Sequence, residues 1–275
     1  MFEIVKKTKL NPNTEEYVIN APRVAAKCKG GQFVILRVDE NGERVPFTIA
    51  DYDRAVGTVT VIVQTVGATT YKLAAMKEGD CLADFVGPLG NATELGEYKS
   101  VVLVGGGIGS AVIYPQTAEL KSAGKRVTAI IGARNKELII HEKEFKQRTD
   151  ELIIVTDDGS YGKKGTVVDA LRELLDAGGY DCVFAVGPLR MMSAVCDLTR
   201  GYGIKTVVSM NSIMVDGTGM CGGCRLTVGG KTKYACVDGP EFDGHAVDFE
   251  EAISRSRIYK EQESEHYCRL TGGGK

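Results

Sequence analysis

The sequence predicts a β + α/β protein in three consecutive parts. These are an N-terminal antiparallel β-barrel over residues 1–98, a parallel-sheet α/β domain over 99–206, and a C-terminal cysteine-bearing tail over 207–275. Three observations carry the prediction. Up to residue 98 the apolar residues alternate in short runs separated by turn residues, the period of strands half-buried in an antiparallel sheet. From residue 99 short apolar runs alternate with helical stretches, the signature of a parallel sheet with crossover helices. Between 221 and 236 stand three of the chain's eight cysteines, at close and ordered spacing.

In the first part, 32–38 and 57–66 are rich in Val and Ile, and the second run alternates well between bounding glycines. Several such strands with turn signals between them predict a small closed barrel. The segment Arg44-Val45-Pro46-Phe47-Thr48-Ile49 adds a chemical signal. It sets an arginine, an aromatic ring and a hydroxyl on one extended stretch. A guanidinium neutralises a diphosphate, the ring packs on a flavin, and a hydroxyl reaches the flavin's N5 edge. An edge strand with a surface arginine is the plainer alternative. Gly67-Ala68-Thr69-Thr70 lies where a helix begins after a strand, and offers N–H groups and hydroxyls to a phosphate. An ordinary helix cap reads the same way. Val63 and Gln64, at the end of the alternating run, complete the candidates for FAD. Val86-Gly87-Pro88-Leu89-Gly90 reads as a turn.

The α/β part opens on a short buried strand, 100–104, running into Gly105-Gly106-Gly107-Ile108-Gly109. A helix to 123 follows, then a strand at 127–131, a helix at 137–147 and a strand at 152–156. A helix at 166–175, a strand at 182–186 and a helix at 189–200 complete the alternation. A glycine-rich turn between strand and helix is a natural pyrophosphate site, which makes Gly107 and Gly109 nucleotide candidates. The full dinucleotide fingerprint is absent, because its third glycine position holds Ser110 and no acid ends the next strand. Gly187-Pro188, followed by Met191, repeats the strand-turn-helix idea, and two such turns on one sheet edge can flank a single crevice. Asp157, in the polar loop 156–162, is a candidate for nicotinamide or ribose. Arg134 suits either a 2′-phosphate or plain solvent, so NADH and NADPH are not separated.

The tail carries the strongest motif. Cys221 and Cys224 stand three apart and Cys236 follows twelve later, with a hairpin pattern about Gly229-Gly230 between them. Plant-type [2Fe–2S] proteins use C-x4-C-x2-C and a distant fourth cysteine. Here the first position holds Asp216. Three thiolates and one carboxylate suffice for two irons. A zinc site usually shows a second C-x2-C or a histidine pair, and His245 lies outside that spacing. Buried free thiols and an ordinary turn aspartate are the remaining alternatives. A zinc-bound regulatory nucleotide module is the corresponding functional alternative.

Composition bounds the rest. The 275 residues are enough for two compact domains and an appendage. A net charge of −2 makes no case for nucleic acid or anionic membrane. No apolar run reaches membrane-spanning length and the N-terminus lacks a signal-peptide core, so a cytoplasmic protein is expected. Its cysteines then point to metal binding or free thiols rather than disulfides. Cys182, in an apolar run, reads as core packing, and the glycine-rich C-terminus as frayed.

Taken together, Arg44-x-Pro46-Phe47-Thr48, Gly105 to Gly109, Gly187-Pro188-x-x-Met191-Met192 and the cysteine motif resemble the ferredoxin–NADP reductase superfamily. The order of parts is similar to the electron-transfer subunits of dihydroorotate dehydrogenase. The aspartate in the first ligand position is similar to the small subunits of NADH-dependent reduced ferredoxin:NADP oxidoreductases, also known as sulfide dehydrogenase beta subunits. The resemblance implies FAD in the barrel, NAD(H) in the second domain, and a [2Fe–2S] cluster on Asp216, Cys221, Cys224 and Cys236. It also implies a larger partner subunit carrying another FAD and [4Fe–4S] clusters, and exchange of electrons with ferredoxin and NADP(H) through that partner. A flavin between a hydride donor and a one-electron cluster makes a sensible chain, and hydride transfer asks for no general base or nucleophile, so none is assigned.

Overall fold

The computed structural model describes residues 2–94 and 96–271. The glycine-rich end at 272–275 lies outside the described residues. The first part contains β1 (Phe2–Asn11), β2 (Thr14–Asn20), α1 (Pro22–Ala25), β3 (Phe33–Arg37), β4 (Val45–Asp53), β5 (Thr58–Gln64), α2 (Ala68–Ala75), β6 (Cys81–Leu82) and β7 (Asp84–Leu89). The strands form one sheet in the order β6-β1-β2-β5-β4-β3-β7, with every pairing antiparallel. The two edge strands are consecutive in the chain. They are linked through Ala83, whose N–H donates to the Arg37 carbonyl of β3 at 3.0 Å, and no ladder joins them among the described residues, so the expected closed barrel is a nearly closed one. Its interior is filled by alternate residues such as Ile4, Ile19, Leu36, Val59 and Val61, all without exposure. Two local expectations change. The segment 86–90, expected as a turn, is mostly strand β7, because Val86 and Leu89 pair with Ile35 and Phe33 across an irregularity. Arg44 to Ile49 lies not on an edge strand but on central β4 and the residue before it.

The second part runs β8 (Ser100–Gly106), α3 (Gly109–Ser122), β9 (Arg126–Ala133), α4 (Glu142–Arg148), β10 (Glu151–Thr156), β11 (Lys163–Lys164), α5 (Val167–Ala177), β12 (Cys182–Val186), α6 (Leu189–Tyr202) and β13 (Lys205–Ser209). The tail adds β14 (Arg225–Val228), β15 (Lys231–Tyr234), β16 (Glu241–Asp243), α7 (Phe249–Arg255) and α8 (Lys260–Thr271). The second sheet has the order β11-β10-β9-β8-β12-β13-β16. It is parallel up to β13. The tail then returns as β16, antiparallel to β13, so the sheet is mixed at that edge and the tail is woven into it. Strand β8 explains the unbroken apolar run at its sequence position. Val101 and Leu103 face one core, with Ile113 and Leu120 of α3, while Val102 and Val104 face the other, with Leu171 and Val195 of α5 and α6. The expected helix at 137–147 splits into a 3-10 turn (Lys136–Leu138) and α4. Ile140 causes the break by packing against Ala50 and Ile62 of the barrel, and His141 then turns through the left-handed region at φ 56° before α4 begins. Cys182 is fully buried, as expected.

Glu241 joins all three parts. Its carboxylate accepts hydrogen bonds at 2.7 Å from Thr93, after the barrel, and at 2.7 Å from Gln116 of α3. Burial pushes its carboxyl up to about 7, assisted by Glu119 and Glu94 and opposed by the two donors. Between the ordinary 4.5 and about 7 the folded state therefore holds a proton that the unfolded chain has released, and stability falls as pH rises through that window. The span corresponds to roughly 3 kcal/mol. Glu241→Gln keeps an acceptor for both donors and cannot ionise. Urea unfolding at pH 5, 6 and 8 is expected to show the variant losing this downward slope. Parallel curves for the two proteins would refute the assignment.

Candidate cofactor sites

Around the barrel site, residues 44–48 are all half-buried, although β4 lies mid-sheet between β5 and β3. A central strand left half-open on one face fits a covering ligand. Arg44 sits at one end of this face, its guanidinium 3.5 Å from Asp84. Pro46 pairs with Ile35 and Thr48 with Phe33, while Phe47 packs on the rim of the barrel core. Helix α2 begins beside them. The Gly67 N–H and the Val66 N–H donate to the Thr70 hydroxyl at 3.0 and 2.9 Å, so Thr70 caps its own helix. The Thr69 hydroxyl donates to Glu43 at 3.1 Å. Val63 points into the barrel core, leaving only its backbone to a ligand, and Gln64 faces the cavity described next.

A cavity of about 520 Å³ lies between the barrel and the carboxyl edge of the second sheet. Its lining gathers Gln64 from the barrel with Gly107, Gly109, Asp157, Gly187, Pro188 and Met191, so the sequence candidates of the α/β part share one crevice. The glycines serve two purposes. At Gly109 a side chain would run into the Val186 carbonyl and Gly187, where the head of α3 passes close to the end of β12. At Gly107, with φ 57°, a side chain would meet no protein atom and would enter the cavity. That open turn at the head of α3 fits a pyrophosphate. Asn11, Thr14, Ser209 and Asn211 also line the cavity and were not foreseen. The polar pair Asn211-Ser212 after the buried run of β13 was the available signal for the last of them.

The cysteine loop follows at once. Asn211 also lines a second cavity, of about 320 Å³, which Cys221 and Gly223 border. The segment 209–213 is thus the wall between nucleotide crevice and cysteine loop. Asp216 and Cys221 form one pair, the thiol donating to Oδ1 at 3.2 Å, and Cys224 and Cys236 form another, Sγ to Sγ 3.2 Å. No three of these four residues are gathered as a single-ion site among the described residues. Backbone donors already point inward. Gly223 N–H lies 3.4 Å from the Cys221 sulfur, Cys236 N–H 3.4 Å from the Cys224 sulfur, and Met220 and Cys221 N–H groups reach Asp216 Oδ2 at 3.0 and 3.1 Å. Partial burial pushes the Asp216 carboxyl up, but hydrogen bonds from Cys221 and Thr218 outweigh it and hold the group at about 2. It is therefore an anion available to a metal at any working pH. Burial and the neighbouring Cys224 push the Cys236 thiol up to about 12, so metal binding there must expel a proton. A cage of N–H donors about thiolates and a carboxylate fits an iron–sulfur cluster. His245 is engaged elsewhere, with the Thr199 hydroxyl at 3.0 Å.

Two known domain families match stretches of the chain. Residues 1–93 match the oxidoreductase FAD-binding domain, and residues 211–248 match the iron–sulfur cluster binding domain of dihydroorotate dehydrogenase B. A relative from Thermotoga maritima, a dihydroorotate dehydrogenase B (NAD(+)) electron transfer subunit homolog, is 47% identical over 98% of this chain and 95% of its own. The electron transfer subunit of Shouchella clausii is 36% identical over 87% of this chain and 94% of its own. A solved structure of NADH-dependent reduced ferredoxin-NADP oxidoreductase superposes with a TM-score of 0.94 at 46% identity, covering 98% of both chains. Fold and sites thus define a flavin- and iron–sulfur-dependent oxidoreductase of ferredoxin-reductase-like fold, with an FAD-binding domain, a cluster-binding domain and a crevice suited to NAD(H). Within that class the chain belongs to the family of dihydroorotate dehydrogenase B electron-transfer subunits and their homologues. Among the described residues no helix is long and apolar enough to cross a membrane.

Asp216 is the departure from an all-cysteine set. A carboxylate keeps the single negative charge of a thiolate but is a harder ligand that favours ferric iron. Asp216→Cys is expected to keep a [2Fe–2S] spectrum and to move its midpoint potential. A redox titration followed by electron paramagnetic resonance checks this, and an unmoved midpoint would show that the aspartate does not tune the cluster.

Proposed function

We propose that this chain is the small, electron-transferring subunit of a cytoplasmic electron-bifurcating transhydrogenase. It passes electrons between NAD(H) and a larger subunit that carries a further FAD and [4Fe–4S] clusters and serves ferredoxin and NADP(H). The observation that carries the reading is the whole-chain likeness, at TM-score 0.94, to a chain of NADH-dependent reduced ferredoxin-NADP oxidoreductase. Bound FAD supplies a carrier that accepts a hydride and releases electrons singly.

The chain's own residues orient the partners of that exchange. Arg44, released from Asp84, neutralises the FAD diphosphate. The α2 entry, Gly67 with Thr69 and Thr70, closes round the phosphates. Pro46, Phe47 and Thr48 seat the flavin, with Val63 backbone and Gln64 beside it. Gly107, its N–H held by the Gly132 carbonyl, keeps the turn open, Gly109 offers its N–H to the NADH pyrophosphate, Gly187, Pro188 and Met191 form the opposite wall, and Asp157 takes a ribose. Asp216, Cys221, Cys224 and Cys236 hold the cluster, and the segment 209–213 keeps it next to the crevice.

The test is the visible spectrum and iron content of anaerobically purified chain, before and after NADH. Flavin bands, two irons per chain and bleaching by NADH support the reading, flavin without iron removes the cluster, and zinc without flavin replaces the reading with a regulatory module. A second reading, an electron-transfer subunit for dihydroorotate dehydrogenase, is favoured by the names of the relatives at 32–36% identity. Orotate formation against ferredoxin-dependent NADP reduction, assayed with candidate partners, separates the two.

A further inference from the structure

Two arginines back the peptides of the cysteine loop from outside. The Arg225 guanidinium donates to the Gly222 carbonyl at 3.1 Å. The N–H of that same peptide, belonging to Gly223, lies 3.4 Å from the Cys221 sulfur. Guanidinium, peptide and sulfur thus form one hydrogen-bonded relay, in which the cation polarises the peptide and strengthens its N–H toward the sulfur. The next carbonyl, of Gly223, accepts from the Arg255 guanidinium at 3.1 Å.

Arg255 is thirty-two positions from Gly223 and is brought there by α7, which is fixed against the hairpin. The Thr227 N–H donates to Glu251 at 2.9 Å, the Asp248 N–H donates to the Thr227 carbonyl at 2.9 Å, and Val247 bridges to Val228. Among the described residues neither guanidinium takes part in an ion pair. Their charges are spent on no carboxylate, and both line the cavity that Cys221 borders.

We propose that Arg225 and Arg255 are positioning residues that set the potential of the cluster, Arg225 through the Gly222–Gly223 peptide and Arg255 through the Gly223 carbonyl. This rests on the assignment of Asp216, Cys221, Cys224 and Cys236 as its ligands. Reduction adds one negative charge to an anionic centre. Nearby cations and inward N–H groups stabilise that form more than the oxidised one, and so raise the midpoint. Arg225 and Arg255 also come from different stretches of chain, so the cage depends on α7 as well as on the cysteine motif.

The experiment is a redox titration of the holoprotein, followed by electron paramagnetic resonance, for wild type, Arg225→Gln, Arg255→Gln and the control Arg257→Gln. The control removes the same charge two residues beyond Arg255. At the wild-type midpoint each arginine variant is expected to show a reduced-to-oxidised ratio about tenfold lower, a downward shift of about 59 mV for a one-electron couple. The control and the flavin midpoint are expected to stay put. Wild-type midpoints in both loop variants, or an equal shift in the control, would overturn the proposal. If a glutamine variant purifies with flavin but without iron, Arg225→Lys and Arg255→Lys decide. Lysine restores the charge, so restored iron with a midpoint near the wild-type value supports the proposal, and a midpoint lowered by the full shift of about 59 mV despite the restored charge refutes it. Iron and spectrum of the wild type test the ligand assignment separately, since a wild type lacking the cluster fails there and not at the arginines.

Discussion

Cys224→Ser is expected to yield a chain that keeps its flavin and loses its iron. Cys224 is nearly inaccessible, packed with Leu226, Ala235 and Cys236 in the core that also holds α5 and α6. Its sulfur meets the Cys236 sulfur at 3.2 Å and receives the Cys236 N–H. Serine removes one of the proposed cluster thiolates and leaves a hydroxyl among apolar neighbours. An unsatisfied buried hydroxyl costs on the order of 1–3 kcal/mol, to which the lost metal-binding energy is added. The barrel interior is a separate cluster, with only Phe33, Ile35 and Leu89 on the barrel's outer side reaching the core of Cys224, so its flavin is expected to remain at wild-type stoichiometry. Iron and flavin analysis with thermal unfolding checks both halves. A serine variant with a full complement of iron would remove Cys224 from the ligand set. Loss of flavin together with iron would show that the two sites do not fold independently.

The second large effect is expected at Gly109. A methyl group there would overlap the Val186 carbonyl and approach Gly187, and these are backbone atoms held by the pairing of β12 with β8 and β13. They have no rotamer to yield with. Overpacking of this kind costs typically about 1–3 kcal/mol, and the backbone obstacle places Gly109→Ala at the upper end. It should also spread the two turns that wall the nucleotide crevice. Gly107→Ala differs in kind. Its left-handed φ of 57° costs about 1–2 kcal/mol for an L-residue, but the methyl points into open cavity. Urea unfolding is expected to rank Gly109→Ala well below Gly107→Ala in stability, whereas NADH reduction of the flavin should be weakened in both. Equal stability for Gly109→Ala and wild type would mean that the head of α3 and the end of β12 can move apart, contrary to the packing described.

Much of this was legible before any fold was known. The strand runs, the glycine turns and the cysteine spacing are local signals, and the hairpin at 225–234 and the strand at 182–186 appear where the pattern put them. The misreadings share a cause. The helix at 137–147 breaks because Ile140 is claimed by the barrel, and 86–90 is strand because β3 supplies it with partners. Both partners lie far away in sequence, and a window of a few residues carries no trace of them. Val63 was likewise a reasonable ligand residue until the sheet curled and turned its side chain inward.

By itself the sequence determined the chemistry: which residues bring sulfur, carboxylate, guanidinium and flexible backbone, and at what spacing. Spacing within one loop decides which atoms can reach a common point, and it needs no distant partner. Only the tertiary structure decided how the sites share walls. Gln64 faces the same cavity as Gly107, Asn211 stands between crevice and cysteine loop, Glu241 joins three parts, and Arg255 reaches Gly223 from α7. Those juxtapositions follow from burying two core faces of one sheet at once, a demand met by the whole chain together.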